Sequence, residues 1–118
     1  MAVVDDSLRR ALLALHKTVL TAEREHLERV QGRLSNAAFL QIVSDPVRYG
    51  WLQPLTRLIL AFEEDEEDRA PEEELVARAR DLLLPPQGKT PFGRRYLSLL
   101  QREPALILAH AELARLLR

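Results

Sequence analysis

From Ser7 to Gln31 the chain contains neither proline nor glycine, and its apolar residues recur at helical spacing. Leu8, Leu12, Leu15, Val19, Ala22, His26 and Val30 step by four and three, the pattern that keeps side chains on one helix face. About 26 helical residues at 1.5 Å each predict a rod of roughly 39 Å. A rod of that length with one apolar stripe must be covered by other helices. Asp5, Asp6 and Ser7 are the expected cap, and Gly32 is the expected C-terminal stop.

The rest of the chain is punctuated for helices too. Ser35 is placed to cap a helix over Asn36–Val43. Asp45 and Pro46 form a cap and first-position pair, followed by a short turn through Val47–Trp51. Pro54 either kinks the next segment or opens a new one; beyond it, Leu55, Leu58, Ile59 and Phe62 trace one face. Pro71 followed by three glutamates starts a helix with Leu75, Ala79, Leu82 and Leu83 inward. Pro85-Pro86 ends it. Thr90 and Pro91 open a helix with Phe92, Tyr96, Leu99 and Leu100 inward. Pro104 breaks or kinks that arm, and Leu106, His110, Leu113 and Leu117 form the last stripe.

These elements predict an all-α fold, a single helical domain over residues 1–118. The expected form is a helix bundle: about four long arms, two of them broken by proline, or six shorter helices. Aromatic residues are only 5% of the 118-residue chain, which disfavours a sheet. The chain has no cysteine, which removes disulfides, thiol catalysis and thiolate metal sites. Residues Met1 to Asp6 carry no basic and apolar leader, and no apolar run approaches a membrane span, so a cytoplasmic, non-membrane protein is expected.

The net charge of −1 conceals a segregation. Residues 63–74 hold nine acids and one base, whereas residues 75–118 hold eight bases and three acids. The acidic helix end and loop at 63–70 is expected to be solvated. It could pair with the arginines, within one chain or between two, which predicts salt-sensitive self-association.

Two histidines fall on apolar stripes, where an imidazole needs a partner. Glu23 lies one turn before His26, giving a Glu-x-x-His unit of the kind bundles use to hold metals. With His110 from the last helix, and His16 as a further candidate, Glu23 and His26 make a ligand set suited to Zn, Fe or Ni. Carboxylate-bridged bundles need two more inward glutamates and a second such unit, and that second unit is absent. The simpler expectation is no cofactor, with structural histidines bonded to backbone or carboxylate.

No catalytic constellation can be assembled, so enzymatic activity is not the expectation. Lys89, Arg94 and Arg95 cluster at a helix start beside Tyr96, a patch that nucleic acid could use. The sequence pI near 6.3 is low for a dedicated nucleic-acid domain, and no recognition-helix motif accompanies the patch. Tyr49, Trp51, Arg94 and Arg95 are candidates for contact with a protein partner. For Trp51, flanked by two prolines, the simpler expectation is a core plug at a kink. The leading expectation is a non-catalytic interaction or adaptor module.

Leu15-His16-Lys17, Glu23-Arg24, Asp45-Pro46 and the run from Trp51 to Ile59 carry a family likeness. Over residues 12–62 the chain resembles a group of small bacterial all-helical proteins of uncharacterised function. The resemblance implies an all-helical fold and gives His16 and Glu23 more weight than His26.

Overall fold

The computed structural model describes residues 3–118, with side chains from Asp6 onward. Met1 and Ala2 of the expected leaderless start lie outside the described residues. Seven α-helices follow one another in the described chain: α1 (Val3–Gln31), α2 (Asn36–Val43), α3 (Pro46–Tyr49), α4 (Gln53–Glu63), α5 (Glu72–Leu83), α6 (Pro91–Arg102) and α7 (Pro104–Leu117). A single 3-10 turn, Gly50–Leu52, joins α3 to α4. The fold is an all-α helix bundle, 46 Å along its longest axis.

The spine is α1, which at 1.5 Å per residue runs about 42 Å. It packs on α4 and α7, and α5 closes a four-membered ring by packing on both α4 and α7. Leu8, Leu12, Leu15 and Val19 of α1 meet Leu55 and Leu58 of α4, Leu75 and Leu83 of α5, and Leu106, Leu113 and Leu117 of α7 in one core. Burying one such leucine side chain contributes about 1.5–3 kcal/mol. The buttress is α6, which packs on α7 and on the 3-10 turn.

Local chemistry sets the helix starts. Ser35 Oγ accepts from Ala38 N at 3.1 Å, Asp45 Oδ1 from Val47 N at 2.9 Å, and Thr90 Oγ1 from Gly93 N at 2.9 Å. Each satisfies a first-turn donor that has no intrahelical acceptor. Pro46, Pro91 and Pro104 stand in first turns, where a missing N–H costs nothing. Pro54 likewise opens α4 and does not kink it. Pro104 separates α6 from α7. Gly32 ends α1 at φ 89°, a conformation that glycine adopts without strain.

Three expectations are corrected. Asp5, Asp6 and Ser7 lie within α1, which already runs from Val3, and the Asp6 side chain pairs with Arg9 and Arg10 one turn on. Pro71 precedes the first residue of α5, where it was expected to be that residue. The apolar stripe of α1 turns after Ala22: Glu23 and Leu27 are buried, while His26 and Val30 face solvent. The cause is non-local. The last turns of α1 are covered by Tyr49 and α6, which approach from a different side than α4 and α7.

The molecule has two unlike ends. Arg9 reaches Glu63 at 3.2 Å, so the exposed acidic run of residues 63–68 sits by the start of α1. Arg80 Nε donates to the Leu117 carbonyl at 2.6 Å. Beside the last turns of α1 lie α2 and α3, tied back by Arg24, whose Nη1 donates to Asn36 at 2.9 Å. Arg9 and His26 are separated by about 26 Å of helix.

Candidate functional site

Glu23 is the one charged side chain among the described residues that the fold buries, at 2% exposure. It leaves α1 at the point where the stripe turns. Arg95 arrives from the second turn of α6, because the Thr90 cap and Pro91 fix the start of that helix and send Phe92 and Tyr96 inward. Tyr49 arrives from the end of α3, whose direction the Asp45 cap sets.

The three meet in one network. Arg95 Nη2 donates to Glu23 Oε2 at 2.7 Å and to Oε1 at 2.9 Å, and Arg95 Nε donates to Oε2 at 3.2 Å. The Tyr49 hydroxyl donates to Oε1 at 3.1 Å. Both carboxylate oxygens are therefore occupied. A buried carboxylate without such partners would cost several kcal/mol, so the pairing is what permits Glu23 to be inside. Burial, and then the adjacent Glu23 charge, push the Tyr49 phenol up to about 12.

Aromatic rings extend this network across the molecule. The Arg95 guanidinium lies 5.7 Å from the centroid of Trp51. Ring centroids then follow at 6.5 Å from Trp51 to Phe92, 5.3 Å from Phe92 to Tyr96, and 5.5 Å from Tyr96 to His110. Tyr96 and His110 share a 2.6 Å hydrogen bond through Nδ1. Burial raises the Tyr96 phenol and lowers the His110 imidazole, which favours the neutral form of both. His16 is lowered by burial too, and its Nε2 lies 3.5 Å from Thr56 Oγ1.

Outside the network opens a cleft of about 480 Å³. Leu27, Val30 and Trp51 supply apolar walls, and His26, Arg48 and Arg95 supply polar ones. Sites that bind ligands commonly combine a concave apolar surface with a few converging polar groups.

The proposed metal set does not come together. Among the described residues no three His, Asp or Glu side chains lie close enough to hold a metal ion. The donors also argue against the set Glu23, His26 and His110: the Glu23 oxygens accept from Arg95 and Tyr49, and His110 Nδ1 is taken by Tyr96. His26 is exposed on the cleft wall, and the further candidate His16 sits with Thr56.

The candidate partner residues divide. Tyr49, Trp51 and Arg95 converge at the cleft, whereas Arg94 points to solvent one position along α6. The basic patch Lys89, Arg94, Arg95 divides with them, since the Arg95 charge is balanced by Glu23. Sequence reasoning missed Arg48 and the Glu23–Arg95 pair. The one signal available was the spacing Val19, Glu23, Leu27, an alternative stripe offset by one residue from the stripe through His26.

No protein-family model, curated protein or solved structure matches this chain. Among the described residues, no helix is long and apolar enough to cross a membrane.

Proposed function

We propose that this chain is a non-catalytic protein-interaction module whose partner docks on the end formed by α2, α3 and the adjoining cleft. The observation that carries the reading is α2 itself. Six of its eight residues are apolar, Asn36-Ala37-Ala38-Phe39-Leu40-Gln41-Ile42-Val43, yet none is buried. Val30, Leu40 and Val47 are 76%, 64% and 91% exposed at this same end. An exposed apolar surface next to a concave site is the usual mark of a protein contact.

The partner on this face is a different protein and not a two-fold-related copy. Arg29, Arg33 and Arg48 are exposed at this end. A two-fold dimer through one shared patch would set this basic rim against itself. The cleft carboxylate is engaged by Arg95 and Tyr49.

The test is a comparison of variants on affinity-tagged protein. Leu40→Asp with Val47→Asp changes only exposed side chains, so helix content and thermal midpoint should hold. The reading expects a stoichiometric partner of the wild type to be lost with this pair and kept with Leu108→Asp, an equally apolar and exposed site on α7. Equal retention by both variants would defeat it.

A further inference from the structure

The cleft beside α2 presents two arginines, and the carboxylate in its lining is already engaged. Arg95 uses Nε and Nη2 on Glu23, while its Nη1 makes no hydrogen bond among the described residues. Arg48, on the exposed side of the same cleft, makes none either. Both Glu23 oxygens are filled. Apolar walls of Leu27, Val30 and Trp51 stand against these cations. A ligand that fits must therefore bring an anionic acceptor and an apolar body together.

We propose that the cleft captures the C-terminal carboxylate of a partner polypeptide that ends in an apolar residue. The proposal rests on the reading of the α2 end as a docking face and names the chemistry it recognises. A terminal residue carries its carboxylate and its side chain on one Cα, so both enter one cleft. An internal Asp or Glu in an extended segment sends its neighbours' side chains to the opposite face. Capture of terminal carboxylates by fixed N–H donors is a recurrent mode of peptide recognition. Glu23 and Trp51 hold the Arg95 guanidinium in place beforehand, which lowers the ordering cost of binding. Arg48 supplies, from α3, the positive charge that Glu23 does not balance.

Trp51 is the sole tryptophan and lines the cleft, so its fluorescence reports occupancy directly. The probes are N-acetyl-leucyl-leucine, its C-terminal amide, and N-acetyl-leucyl-glutamyl-leucinamide, titrated into the full chain with calorimetry as a second readout. The free acid should give a saturable change, with the amide and the internal glutamate weaker by about tenfold or more. Arg48→Ala should weaken the acid by about tenfold, and Arg94→Ala, outside the cleft, should leave it unchanged. Equal binding of acid and amide would overturn the proposal, as would no saturable response to the acid by either readout. Binding of the internal glutamate peptide as tight as the acid would overturn the terminal assignment. Competition by inorganic phosphate at lower concentration than the acid would assign a general anion site and overturn it too. The titration needs no partner. If the acid fails while the Leu40 and Val47 variants still lose a partner, the carboxylate pocket falls and the docking face stands.

Discussion

Glu23 and Arg95, 72 residues apart in sequence, are joined by three hydrogen bonds, the shortest 2.7 Å. The carboxylate is buried and the guanidinium is partly exposed, so the pair fixes the last turns of α1 to α6 and shapes one wall of the cleft. Such a pair adds little net stability over an apolar replacement, yet breaking one side of it is costly.

Removing Arg95 alone should therefore be worse than removing both partners. Arg95→Met leaves Glu23 charged and buried with only the Tyr49 hydroxyl, and should cost about 3 kcal/mol. Adding Glu23→Leu to it should recover part of that loss. Urea unfolding of the two variants checks this. A double variant less stable than Arg95→Met would show that the pair does not act as described.

Gly93 should tolerate no side chain. It is buried in the first turn of α6, and a Cβ there would fall on the Gln87 carbonyl oxygen and 2.9 Å from the carbonyl carbon. The obstacle is backbone, which cannot swing aside as a side chain can. Gly93→Ala should lose about 1–3 kcal/mol by overpacking, although alanine favours helix elsewhere. A thermal midpoint equal to or above the wild type would contradict the close approach.

Stability should fall as the solution is acidified from neutrality. Burial holds His16 and His110 below the ordinary imidazole value of 6.5. As pH drops through that value the unfolded chain takes up protons first, and the folded protein follows only lower down. Between those points the unfolded state binds more protons, so acid favours unfolding. The denaturation midpoint should thus be lower at about pH 5.5 than at about pH 7.5, and His110→Gln should flatten the difference. A midpoint that rises on acidification would reverse the sign of the account.

Tyr49 should resist ionisation in the folded protein. Its phenol is pushed up to about 12 by burial and by Glu23, and burial raises Tyr96 as well. The chain has two tyrosines. Ultraviolet titration should therefore show little tyrosinate at about pH 10, where a free phenol is half ionised. Half-ionisation at that pH in a folded sample would mean that the two phenols are not buried as described.

The parts legible in the sequence are those decided locally. The caps Ser35, Asp45 and Thr90 and the first-turn prolines act within one turn, so their residue types announce them. The stripe of α1 is legible from Leu8 to Ala22 because α4 and α7 cover a constant face there. It fails at His26, since the side that α6 and Tyr49 cover depends on how residues far along the chain pack. Arg95 shows the same limit: beside Arg94 and Lys89 it reads as one of a basic cluster, and only the fold turns it toward Glu23. The weak packing of α2 was equally hidden, because an apolar run such as Ala37 to Val43 reads as core.

The central claim is that a partner protein sits on the α2 end, and site-directed photo-crosslinking in cells tests it most directly. A photoreactive residue at Leu40 or Val47 should give one discrete adduct with a different polypeptide, and the same residue at Arg115, near the opposite end of the bundle, should give none. Adducts absent at Leu40 and Val47, formed equally at Arg115, or formed only between copies of this chain would contradict the claim.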